Sequence, residues 1–161
     1  MLVAFRKVWG RWPLSFALVK GKMIVASFLL MGCYVYVWTQ FSDGHAKSQS
    51  VYGEASKLHP FLTLAVSTVL IVDRGLVVTD IARMPDDYEA MSLQTNWRSL
   101  HFAQADGYVY AVDIRTNGRS EIRNTLVKVF FYAMGFNTIR HTGNADHLHI
   151  SLSPRNRRNV K

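Results

Sequence analysis

The chain has 161 residues, 49% of them apolar, and a formal charge of +8, which is length enough for one domain with its own core. The charge sits at the ends: five cations precede Met23, four more (Arg155, Arg157, Arg158, Lys161) lie in the last seven residues, and residues 43–154 carry ten Lys/Arg against eleven Asp/Glu. A nucleic-acid groove needs its cations on the folded body, so this distribution argues against a nucleic-acid partner, and the single cysteine, Cys33, excludes an intramolecular disulfide or a cysteine-based zinc site.

Residues 1–22 mix aromatics with Arg6, Lys7, Arg11, Lys20 and Lys22. They predict a basic amphipathic segment, interrupted at Gly10 and Pro13. Residues 23–42 carry no charge. As a helix they reach about 30 Å, the thickness of a bilayer's hydrocarbon core. Tyr34, Tyr36, Trp38 and Phe41 crowd the far end as an interfacial aromatic belt does. With the cations ahead of it, this segment predicts a single-pass anchor in the inner (cytoplasmic) membrane. The N-terminus is then cytoplasmic and everything after Ser42 is extracytoplasmic, periplasmic in a cell with two membranes. A buried core helix is the alternative. The stretch "LLMGC" is a loose lipoprotein box ending at Cys33, but apolar residues continue past it.

Residues 43–56 are polar, with scattered Ser and Gly, and read as a linker. "FLTLAVSTVLIV" (61–72) is too short to span a membrane and predicts a buried helix opened by Pro60 and closed by Asp73-Arg74-Gly75. "LVVTDI" (76–81) is β-branched and strand-like. Pro85 opens a helix through "DDYEAM", with two aspartates in its first turn. "GYVYAVDI" (107–114) alternates as a strand. Residues 120–135 predict a helix with Ser120 as N-cap and Gly135 as its stop. "NTIRH" (137–141) and "HLHISL" (147–152) predict two strands joined by the loop "TGNAD". The order predicts an α+β fold, a small antiparallel sheet flanked by helices over residues 57–154, followed by a basic tail at 155–161.

The strand "HLHISL" puts His147, His149 and Ser151 on one face and Leu148, Ile150 and Leu152 on the other. Two imidazoles facing the same way are the start of a metal site. Upstream, "RSLHFAQADGYVYAVDI" supplies His101 and, on a face shared with Ala111 and Val109, Asp113. His101, Asp113 and His149 form a His₂Asp set that suits one Zn²⁺. Taken singly, each has an ordinary structural reading: a satisfied buried histidine, a strand-end aspartate in an ion pair, an exposed strand histidine.

Together these residues resemble the zinc D-Ala-D-Ala carboxypeptidases and the phage endolysins that are L-alanyl-D-glutamate peptidases, whose fold hedgehog's zinc domain shares. The matching residues are Ser99 and His101, Ala111 and Asp113, Gly135 and Phe136, and Asp146 and His149, with Arg83 and Pro85 in "VVTDIARMPDD". The resemblance covers about residues 58–152. It departs in one stretch. His101 and Asp113 stand twelve apart, more than in the family, with Gln104 at its glycine position and Gly107 later. An insertion around 105–109 accounts for this, and it makes Asp106 a competing ligand. Ala82 also replaces an aromatic.

The resemblance implies a membrane-anchored zinc peptidase of bacterial or phage origin that cleaves peptidoglycan stem peptides. Zinc on His101, Asp113 and His149 activates water, and Asp146 is the base, with His147 the alternative. Arg83 holds the scissile carbonyl oxygen or a substrate carboxylate; its alternative is an ion pair with Asp86 or Asp87. Two other readings stand beside this one. The first is a non-catalytic zinc module of the same fold. The second is a membrane-disrupting protein acting through residues 1–42.

Overall fold

The computed structural model describes residues 14–90, 92, 94–143 and 145–152. It contains two compact units, one ending at Tyr36 and one beginning at Val37. The tail at 155–161 and residues 1–13 lie outside the described residues.

The first unit contributes most of helix α1 (Leu14–Trp38). Its stretch Gly21–Trp38 is long and apolar enough to cross a membrane or to serve as a signal sequence. Its apolar side chains, Phe28 and Leu30 among them, are exposed rather than packed in a core. The helix stops at Trp38, short of the expected Ser42. Phe41 lies in the second unit, where its ring packs against the core and lies 5.9 Å from that of Tyr52.

Residues 43–56 are not a free linker. They form a 3-10 turn at Asp43–His45, helix α2 (Gln49–Gly53) and the start of a second 3-10 turn, Glu54–Lys57. Their polar residues act as caps and ties. Ser48 Oγ accepts the Val51 N–H, Lys47 N–H donates to the Val78 carbonyl at 2.8 Å, and Glu54 accepts the Ala82 N–H at 3.0 Å. Val51 is buried.

Next follow α3 (Pro60–Val72), β1 (Val78–Asp80), α4 (Pro85–Ala90), β2 (Ala111–Arg115), α5 (Glu121–Ala133), β3 (Asn137–His141) and β4 (His147–Ser151). Pro60 sits at the first turn of α3, where its missing N–H costs nothing. Ser120 caps α5, accepting the Arg123 N–H, and Gly135 takes the left-handed turn after it at φ +88°. The architecture is α+β: four antiparallel strands in the order β1-β2-β4-β3, with helices packed against the sheet.

The expected strand at 107–114 is shorter and starts at Ala111. Residues 108–110 instead bond to other backbone: Val109 N–H to the Lys57 carbonyl and Tyr110 N–H to the Leu100 carbonyl. One face of the sheet carries Val112, Ile114, Leu148 and Ile150 into the core, where α3 adds Leu62, Val66 and Leu70 and α5 adds Val127 and Phe131. Asp73, at the end of α3, is buried and binds both Arg119 and Arg123, the latter at 2.9 Å. The candidate site lies on the sheet's other face.

Candidate metal centre

Alternation along β4 turns His147 and His149 away from the core that Leu148 and Ile150 fill. Across the ladder Asp113 of β2 stands opposite His149. Ala111, the small residue two positions before it, is fully buried on the same face. The third residue, His101, comes from the irregular stretch before β2. Its N–H donates to Ser99 Oγ at 3.2 Å, its carbonyl accepts the Arg83 N–H at 3.0 Å, and the neighbouring Leu100 carbonyl accepts from Tyr110. The Ser-x-His pattern therefore has a local cause: the serine ties down the backbone that carries the histidine.

His101, Asp113 and His149 converge. His101 Nε2 is 3.3 Å from His149 Nδ1 and 3.4 Å from Asp113 Oδ1, and His149 Nδ1 is 2.8 Å from the same oxygen. Tetrahedral zinc with bonds of about 2.0–2.1 Å sets its ligand atoms about 3.3–3.4 Å apart. Two of the three edges match, and the third is shorter. The tautomer fits as well. His101 Nδ1 lies 2.7 Å from the Ile81 carbonyl, which only accepts, so Nδ1 carries the proton and Nε2 turns its lone pair to the centre. Both His101 and Asp113 are almost fully buried, at 1% and 2% exposure. This donor set can hold a metal ion. Burial pushes the Asp113 carboxyl up, but His101 and His149 outweigh it and hold the group well below the ordinary range.

Arg83 reaches the centre without being one of its ligands. Its Nη2 donates to Asp113 Oδ2 at 2.8 Å and its Nε to Asp80. The alternative partners are not used: Asp87 accepts the Met84 N–H instead. Burial works against the Arg83 charge, and the carboxylates of Asp80 and Asp113 more than offset it, so its pKa is raised. Asp106, the competing ligand, is occupied elsewhere. It accepts the Tyr110 hydroxyl and the Tyr108 N–H, and it pushes Tyr110 up to about 12.

The two candidate bases part company. Asp146 precedes His147 on the side of Leu148, where Arg140 grips it with two bonds, at 3.1 and 2.8 Å, and Thr116 donates a third at 2.5 Å. The same guanidinium also binds Glu121. The Arg140 and Thr116 bonds hold the Asp146 carboxyl down at about 2. His147 lies on the metal face, with Nε2 3.8 Å from Asp113 Oδ2 and Nδ1 2.6 Å from the Ala145 carbonyl. The carbonyl fixes the Nδ1–H tautomer and leaves Nε2 as the basic atom.

The sequence reading missed His141. Its ring stacks on His147 at 4.8 Å, because the hairpin loop begins right after one and ends right before the other. Counting pairs back from that loop would have found it. Asp80, the Ile81 carbonyl and Tyr88 were missed too, and no spacing announces them. Compared with known protein families, curated proteins and solved structures, the chain finds no match.

Proposed function

We propose that this chain is a membrane-anchored zinc peptidase acting on peptidoglycan stem peptides outside the cytoplasmic membrane. One observation carries the reading. Three ligand atoms far apart in sequence lie within 4.8 Å of one another, with His101 held in the metal-binding tautomer. Zinc bound there would supply Lewis acidity, lowering the pKa of water toward about 7 and polarising a peptide carbonyl.

The chain's own groups do the rest. Arg83 takes one oxygen of Asp113 and leaves the other for the centre. The Ile81 carbonyl fixes the His101 ring. His147 receives a proton at Nε2 and returns it to the leaving amine, with Ala145 holding the other side of the ring. In this mechanism Asp146 is a positioning residue: its ties to Arg140 and Thr116 set the entry to β4 that carries both histidines. The α1 stretch Gly21–Trp38 serves as the anchor, with the N-terminus cytoplasmic.

The engagement of Asp146 favours a second reading, a zinc-binding module that has lost catalysis. One digestion separates the two. The full chain, in detergent with zinc, is incubated with purified peptidoglycan, and the products are read by mass spectrometry, with chelator and His147→Ala as controls. New peptide termini that vanish in both controls support the peptidase. Unchanged muropeptides support the module.

A further inference from the structure

A column of stacked groups runs from the metal centre to solvent. Arg83, which touches Asp113, lies over the Tyr88 ring at 5.9 Å. Tyr88 stacks on Phe102 at 5.7 Å and 27°, and Phe102 on Trp97 at 5.9 Å and 18°. Tyr88 is buried, whereas Trp97 at the outer end is 75% exposed. Phe102 directly follows His101 in the chain. A single exposed aromatic is ordinary. This one differs because its indole stacks on Phe102, in a stack rooted in the candidate metal site, while most of its surface is exposed.

A ring held this way costs little ordering when a ligand arrives. Its face is electron-rich and apolar, and it suits a flat ligand whose C–H bonds are polarised by neighbouring oxygens. The face of a pyranose ring has that chemistry. We propose that Trp97 is a stacking platform for a sugar of the glycan strand, holding the strand beside the centre that takes the attached peptide. This rests on the peptidoglycan reading of the same site and extends its substrate from a peptide to a glycan-linked peptide.

The test is a binding measurement with no turnover. The full chain, in detergent and with chelator present, is titrated with peptide-free glycan strands and, separately, with sugar-free stem peptides. The chain binds the strands, Trp97→Ala weakens that binding by about tenfold, as loss of an aromatic stack does, and Trp97→Phe restores most of it. No binding of strands, binding indifferent to Trp97→Ala, or a loss confined to the sugar-free peptides overturns the proposal. Hydrolysis plays no part in the readout. A chain that binds strands through Trp97 but cuts nothing would end the peptidase reading and leave the platform standing.

Discussion

Arg83 and Asp113 share one hydrogen bond of 2.8 Å, and it divides the carboxylate: Oδ2 belongs to the guanidinium, Oδ1 to the two imidazoles. A carboxylate pinned in this way presents a single oxygen to an ion. Removing the pin frees the side chain to rotate. Arg83→Ala is expected to weaken zinc binding by about 10- to 100-fold, the usual cost of losing a group that orients a ligand. Competition with a chromophoric chelator measures it. Arg83→Lys recovers only part of the loss, because an ammonium cannot serve Asp80 and Asp113 with the same fork.

The opposed placements of His147 and Asp146 predict opposite phenotypes. His147→Ala lowers kcat by about 10²- to 10⁴-fold, the range for a lost general base, and leaves zinc affinity nearly unchanged. Asp146→Asn keeps most of the activity and weakens the fold instead. Steady-state kinetics and denaturant unfolding on both variants check the assignment. A collapse of kcat in Asp146→Asn, with His147→Ala active, would exchange the two roles.

The same Asp146 gives a pH signature. Its carboxyl is lowered to about 2 in the folded chain by Arg140 and Thr116, against about 3.9 when unfolded. Between those values the unfolded chain binds more protons, so stability rises with pH there. The contribution is complete above about pH 4 and is lost as pH falls toward 2. Asp146→Asn lacks it, so the gap in stability between wild type and variant narrows across that window. Unfolding midpoints measured from pH 2 to 6 report it.

Asp73 predicts a purely structural effect. It is buried and holds Arg119, itself largely buried, together with Arg123, and so joins the end of α3 to the start of α5. Asp73→Ala leaves the buried Arg119 guanidinium without a carboxylate, holding only the Gly75 carbonyl, at a cost of about 3 kcal/mol. Denaturant midpoints fall accordingly, while zinc binding at the candidate centre, on the other face of the sheet, is expected to be unchanged.

Much of this was legible in the sequence because period and punctuation are local. Leu148 and Ile150 alternating with His147 and His149 announce both the core face and the candidate ligand face of β4, and Pro60, Ser120 and Gly135 mark helix ends where they stand. The α+β class and the His101, Asp113, His149 set follow from such signals. The linker reading of 43–56 failed for a physical reason: Ser48 and Glu54 look like solvated polar residues but spend their side chains on the N–H groups of Val51 and Ala82. Phe41, an aromatic next to an apolar run, has a partner that spacing does not announce: its ring packs against the core of the second unit. Arg83's true partners depend on how β1 and β2 meet. The tie between Asp146 and Arg140 depends on β3 lying beside β4. Composition carries no trace of such long-range pairing.

Zinc titration of the metal-free full chain tests the central claim most directly. One ion per chain is expected, bound tightly, with His149→Ala and Asp113→Asn each abolishing tight binding and His147→Ala and Asp106→Asn leaving it intact. A chain that takes up no zinc, or that binds it equally well without His149 and Asp113, contradicts the account.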